Sequence, residues 1–282
     1  MLDNELQVAL QLAEQASISI LNFYESDIIA EEKLGADNEY EPVTEADREA
    51  SRIIVAGLAE AFPDDFILSE EEPDDVEKRL SANRVWMIDP IDGTAGFVNK
   101  VGDFSVQIGL AINGEAVVGV VQQPYLGITT FAVKGSGAYI RHGSSEPMPM
   151  SVTDESSFSK MTMAMTRNHM THRIERVIEH FGFGNILRRG SVGLKTGLIA
   201  NGECDIYIHP SPRTKVWDTC APQIILEEAG GKLTDIFGGE MRYDRERLPN
   251  LNGILASNGA AHEAAVAHLR PLLTEFGRVR AL

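Results

Sequence analysis

An α+β half followed by an α/β half is the fold class that this sequence of 282 residues predicts. Three observations carry it. Apolar residues recur at helical spacing near the N-terminus. The run Phe104, Val106, Ile108, Leu110, Ile112 alternates with period two and ends on the hairpin dipeptide Asn113-Gly114. From about residue 160 onward, short apolar runs alternate with helix-like segments.

Taken in order, Leu6, Leu10, Ala13, Ser17, Ile20, Leu21 and Tyr24 mark a first amphipathic helix. A second helix is expected from Thr44 to about Phe62, with Ile53, Ile54, Leu58 and Ala61 inward. Residues 63–84 are polar and acidic except for Phe66-Ile67-Leu68, a brief strand ending at Ser69. Val85 to Ile88 reads as another short strand, broken by Asp89-Pro90. Phe104 to Ile112 reads as a half-buried strand, and Val117–Val121, Ile128–Val133 and Ala138–Ile140 extend it into an antiparallel meander. The stretch from His142 to Ser159 lacks periodicity and is the expected junction between two domains, 1–150 and 151–282. Beyond it, strands are expected at Met161–Thr166, Asp205–His209, Lys232–Asp235 and Gly253–Ser257. Helices are expected at Thr171–Phe181, Leu194–Ala200, Asp218–Ala229 and about Ala260–Phe276.

The chain carries 42 Asp and Glu against 25 Lys and Arg, a net charge of −17. No field of cations is available to neutralise a nucleic-acid backbone or to adhere to an anionic membrane. Two cysteines, Cys204 and Cys220, are too few for a structural zinc site. The N-terminus lacks the basic and apolar regions of a signal peptide, so a cytoplasmic protein, monomer or homodimer, is expected. If so acidic a chain acts on phosphates, it must recruit a cation.

Four carboxylates stand where such a cation could sit. Glu70 follows the strand Phe66–Ser69, Asp89 and Asp92 follow Val85–Ile88, and Asp218 follows Val216-Trp217 and opens a helix. Carboxylates that converge at strand ends need protons or a hard divalent ion, Mg²⁺ above all. In Asp89-Pro90-Ile91-Asp92-Gly93-Thr94 the proline fixes a turn and frees the Ile91 carbonyl, while Gly93 and Thr94 offer backbone amides to an anionic oxygen. Each piece alone has a plainer explanation. Asp-Pro and Asp-Gly form turns, Asp218 suits a helix N-cap, and residues 70–75 suit a solvated loop. Asp47 suits the reciprocal position of a capping box that starts at Thr44.

Jointly they form a pattern. Pro42-Val43-Thr44-Glu45-Ala46-Asp47, Ser69-Glu70-Glu71, Trp86 through Thr94, and Trp217-Asp218 leading to Ala229-Gly230-Gly231 span nearly the whole chain. In these segments the chain resembles the Mg²⁺-dependent, lithium-sensitive phosphatases that include inositol monophosphatase, fructose-1,6-bisphosphatase and 3′(2′),5′-bisphosphate nucleotidase. The resemblance implies a layered α-β-α-β-α sandwich of the sugar-phosphatase type and two or three Mg²⁺ per site. It implies that Glu70, Asp89 and the Ile91 carbonyl hold one metal, and that Asp89, Asp92 and Asp218 hold another. Thr94, bonded to Asp47, would activate the attacking water with help from Glu70.

Within that superfamily the wording is nearest to the nucleotidase branch. Gly190-Ser191-Val192-Gly193-Leu194-Lys195 sets Ser191 and a helical lysine, Lys195, where a second phosphate could bind. Arg167-Asn168-His169 matches a segment in which nucleotidases place a histidine near substrate. Where some nucleotidases carry an arginine this chain has His209, and Arg213 stands four residues later as a substitute. The resemblance thus implies removal of the 3′-phosphate of adenosine 3′,5′-bisphosphate, a by-product of sulfate assimilation, with Gly93, Thr94, His169, Ser191, Lys195, His209, Arg213 and Asp218 contacting substrate. An inositol monophosphatase or inositol polyphosphate 1-phosphatase is the alternative.

Overall fold

Small residues at helical spacing let the first two helices lie close together. α1 (Asp3–Tyr24) buries Ala9, Ala13, Ala16 and Ile20, and α2 (Glu45–Ala61) buries Ala50, Ile54 and Leu58. At Gly57 a side chain would collide with Leu12. Between them β1 (Ala30–Leu34) pairs antiparallel with β2 (Tyr40–Thr44), a hairpin for which the sequence carries no apolar signal. The computed structural model describes residues 2–26, 28–34, 40–167 and 170–281. Among them no helix is long and apolar enough to cross a membrane.

Seven strands follow in one sheet, β3 (Phe66–Ser69), β4 (Arg84–Asp92), β5 (Ser105–Ile112), β6 (Glu115–Gln123), β7 (Ile128–Val133), β8 (Ala138–His142) and β9 (Met148–Pro149), hydrogen-bonded in chain order. β3 and β4 are parallel and the rest antiparallel. The expected meander and its Asn113-Gly114 turn are present, with φ of 51° and 78° at the two turn residues. A short helix absent from the sequence reading, α3 (Val76–Ser81), joins β3 to β4, and α4 (Thr94–Val98) follows β4.

Two expectations need correction. β4 does not break at Asp89-Pro90 but runs on to Asp92, and the turn comes at Gly93, with φ of 93°. The ladder to β5 is irregular between Asp89 and Asp92, where a residue without an N–H costs no ladder bond. Nor is β5 half-buried. Val106, Ile108 and Leu110 pack toward α1 and α2, while Ser105, Gln107 and Ala111 in the opposite phase are equally buried. That phase holds small and polar residues because a helix presses on it, not because it meets water.

The helix is α7 (Trp217–Glu228). It lies against Gly109 and Gly119, where a Cβ would stand 2.8 Å from Cys220 Sγ and 2.5 Å from Ala221 O respectively. Its other side, with α6 (Val192–Ala200), meets a second sheet of β10 (Thr162–Met165), β11 (Asn185–Arg188), β12 (Ile206–His209), β13 (Lys232–Thr234) and β14 (Ile254–Ser257), in the order β11-β10-β12-β14-β13. β11 was not foreseen from the sequence. α5 (His172–Phe181) and α8 (His262–Glu275) cover the far face through Ile174, Val177, Leu269 and Leu273. Five layers result, α1/α2, first sheet, α6/α7, second sheet and α5/α8, which is the α-β-α-β-α sandwich expected.

Gly119→Ala is expected to lower the unfolding free energy by about 1–3 kcal/mol, because its methyl meets backbone and not a flexible side-chain end. Urea denaturation checks it, and a change below about 0.5 kcal/mol would mean that α7 can retreat.

Candidate active site

The open ends of β3 and β4 and the first turn of α7 meet at one place. Asp89, Asp92 and Asp218 have carboxylate oxygens that all lie within 4.8 Å of one another. Asp89 is 2% exposed, and its Oδ1 is buried without a hydrogen-bond partner. Burial, then the charges of Glu70, Asp92 and Asp218, push the Asp89 carboxyl well above its usual range. Asp218 is pushed up to about 8 by burial and then by Asp92 and Glu70, although the Lys215 N–H donates to its Oδ2 at 2.5 Å. Such a group is stable only if protonated or if a cation enters, and an all-oxygen donor set with one orphaned oxygen fits a hard divalent ion.

Asp92 is aimed by the second half of the chain. Its Oδ2 accepts from Ser191 Oγ at 2.5 Å, from the Gly193 N–H at 3.0 Å, and from Gln107 Nε2. Ser191 takes φ of 53°, a left-handed region that usually costs a non-glycine residue ~1–3 kcal/mol, and its hydroxyl is also 2.9 Å from Ser105 Oγ. Lys195 is 3% exposed and so not a surface lysine. Its Nζ donates to Ser191 O at 2.6 Å and lies 4.8 Å from the Tyr207 ring centre. Burial lowers its pKa to about 8 against the opposing pull of Asp92, Asp218 and Asp103.

Thr94 and Asp47 meet on the other side. Thr94 Oγ1 lies 3.1 Å from Ile91 O and 3.4 Å from Asp47 Oδ1. Asp47 Oδ2 accepts from Thr44 N at 2.7 Å and Thr44 Oγ1 at 2.6 Å, which is the capping box read from the sequence. Burial raises Asp47 to about 6. Gly93 tolerates no side chain, since a Cβ would stand 2.7 Å from Asp103 O.

Glu70 stands outside the three-aspartate cluster, and its Oε1 is 3.0 Å from Lys33 Nζ. Lys33 also pairs with Glu71, whose carboxyl burial raises to about 7. Lys33 escaped the sequence reading because its hairpin has no periodic pattern. Asp103 escaped it too. It accepts from Arg167 Nε at 2.6 Å and from the Gly190 N–H at 3.1 Å, so it ties the loop before β5 to the loop before α6. His209 and Arg213 line a cavity of about 670 Å³ with Met165, Arg173 and Tyr207. His209 Nε2 lies 2.8 Å from Ser211 Oγ. His169 falls outside the described residues. Both thiols are free and buried, and burial raises Cys220 far from any reactive range.

These raised carboxyls give a signed pH dependence. Asp47, Asp89 and Asp218 keep protons in the folded, metal-free chain that the unfolded chain has lost, so stability falls as pH rises from about 4 to about 8. Melting in chelator is expected to show Tm dropping across that interval, and added Mg²⁺ should restore more at the upper end. A Tm gain from Mg²⁺ that is constant with pH would contradict it.

Known proteins resemble the chain along most of its length. The profile of the inositol monophosphatase family matches residues 1–274. A 3′(2′),5′-bisphosphate nucleotidase CysQ from Aggregatibacter actinomycetemcomitans is 32% identical over 89% of this chain and 91% of its own. A fructose-1,6-bisphosphatase/inositol-1-monophosphatase from Thermotoga maritima is 34% identical over 83% of this chain and 85% of its own. The solved structure of an IMPase from Thermotoga maritima superposes with a TM-score of 0.81 at 29% identity, covering 97% of this chain and 100% of that one. With a family match along almost the entire chain and an acidic cluster able to hold a metal, this protein belongs to the inositol monophosphatase family of phosphatases.

Proposed function

We propose that the chain is a Mg²⁺-dependent phosphomonoesterase that removes the 3′-phosphate of adenosine 3′,5′-bisphosphate to give AMP and phosphate. The cavity of about 670 Å³ lined by Tyr207, whose ring centre lies 4.8 Å from Lys195 Nζ, carries the reading. It offers Met165 and Tyr207 to a base and Arg173 and Arg213 to a second phosphate. Tyr207 links it to the cluster, since its phenol is raised by burial and then by the charges of Asp92 and Asp218. The likeness to a nucleotidase over 89% of the chain supports the same reading.

Glu70, Asp89, the Ile91 carbonyl, Asp92 and Asp218 would hold the metal, which when bound neutralises charge on the phosphate and its leaving oxygen. Asp92, fixed by Ser191, Gly193 and Gln107, orients that set. Thr94 Oγ1 positions the attacking water and passes a proton toward Asp47 Oδ1, 3.4 Å away. With its pKa near 6, Asp47 is ionised enough at neutral pH to accept it. The Gly93 and Thr94 amides would face the phosphate oxygens, and Lys195 keeps one positive charge buried near Asp92 and Asp218. An inositol phosphate is the second reading, favoured by the likeness to the Thermotoga relative.

Phosphate release from adenosine 3′,5′-bisphosphate, inositol 1-phosphate, inositol 1,4-bisphosphate and fructose 1,6-bisphosphate separates the two readings, run with Mg²⁺, without it, and with Li⁺. The nucleotide is expected to be preferred, Mg²⁺ to be required and Li⁺ to inhibit. Preference for inositol 1-phosphate would overturn the nucleotidase reading. Asp92→Asn should reduce turnover by more than the ~100-fold typical of outer-sphere losses. Arg213→Ala should reduce kcat/KM about tenfold more on the bisphosphate than on inositol 1-phosphate.

A further inference from the structure

We infer that Arg79 is a positioning residue that ties the loop of Glu70 to the segment that aims Asp218. Arg79 lies on α3 and is only 2% exposed. Its Nε and Nη2 fork onto Asp74, at 2.9 Å to Oδ1 and 2.9 Å to Oδ2. Asp74 belongs to the same acidic loop as Glu70. The remaining reach of the guanidinium goes across the molecule, with Nη1 donating to Arg245 O at 2.7 Å and Nη2 to Glu246 O at 2.9 Å.

From there a continuous set of bonds leads to the site. Arg245 Nη1 donates to Pro249 O at 2.8 Å, and its Nη2 donates to Asn250 Oδ1. The Asn250 N–H donates to Thr214 O at 2.7 Å, while Asn250 Nδ2 donates to Lys215 O at 2.8 Å and Thr214 Oγ1 at 3.0 Å. The Val216 N–H donates to Leu248 O at 3.0 Å. Residues 214–216 are thereby pinned, and it is the Lys215 N–H that fixes Asp218 Oδ2. Glu70 and Asp218 arrive from opposite halves of the chain, 148 positions apart in number (218 − 70). A planar fork suits the task, because these four bonds leave from three separate nitrogens, whereas an ammonium has only three N–H donors on one atom.

The inference rests on the reading that these carboxylates hold Mg²⁺, and the test separates the two. Mg²⁺ binding is measured by calorimetry on chelator-stripped protein, together with the Tm gain on adding Mg²⁺. Arg79→Lys is expected to weaken Mg²⁺ binding about tenfold or more, as loss of an outer-sphere brace does, and to shrink the Tm gain. Arg84→Lys is the control. Arg84 makes a comparable fork to Asp65 and Glu5 at the far end of β4, and its loss should lower Tm without changing Mg²⁺ affinity. Should Arg79→Lys fail to fold, Asn250→Ser tests the same brace from its other end and should weaken Mg²⁺ binding as well. If both fold, their double variant should lose less than the product of the single losses. Parent-like Mg²⁺ affinity in Arg79→Lys or in Asn250→Ser, or fully multiplicative losses, would overturn the brace alone. No Mg²⁺ binding by the parent protein would overturn the metal reading and the brace together.

Discussion

Three aspartates held within 4.8 Å of one another, in a place largely closed to water, are the constraint on which the rest of the structure turns. Burying an ionised carboxylate costs several kcal/mol even after relaxation, roughly, and like charges at that range add to the cost. Left alone, the cluster would pull protons or push its strands apart. Much of the surrounding chemistry answers this. Ser191, Gly193 and Gln107 crowd donors onto Asp92, the Lys215 amide holds Asp218, and Lys195 contributes one buried positive charge. Asp89 keeps an oxygen with no donor at all. Folding alone would not leave that atom so, whereas a cation would satisfy it.

The five layers serve the same end. The first sheet supplies Asp89 and Asp92 at the end of β4, and the middle helical layer supplies Asp218 at the start of α7. These meet only because α7 lies unusually close to the sheet, and Gly109 and Gly119 make that approach possible. The small residues of β5 and β6 are therefore part of the site, although none of them touches a charge in it. A net charge of −17 is in this sense misleading. Much of it is solvated, as at Glu45, Glu115 and Glu263, while a handful of carboxylates converge where a cation could reverse their sign.

Much of the architecture was legible from local pattern. The helices at both ends, the meander with its Asn113-Gly114 turn, and the strand–helix alternation after residue 160 all follow from period and turn chemistry. What failed did so for identifiable reasons. Asp89-Pro90 reads as a stop, yet a proline in a strand irregularity loses nothing, and β4 continues. Gln107 and Ser105 look like solvent-facing positions, but their phase is buried under α7, with Gln107 Nε2 spent on Asp92 and Ser105 Oγ on Ser191. Lys33 sits on a hairpin with no apolar signature, so nothing local marks it.

The sequence by itself determined which segments carry carboxylates at strand and helix ends, and hence where a hard cation could be held. Those are properties of residue type and short spacing. Only the tertiary structure decided which oxygens face one another, that Lys195 is buried near Asp92 and Asp218 instead of waving in solvent, and that Arg79 and Asn250 connect the loops of Glu70 and Asp218. Such facts depend on contacts between residues far apart in the chain. No local period or propensity encodes them, because they arise only when close helix–sheet packing brings the two halves together.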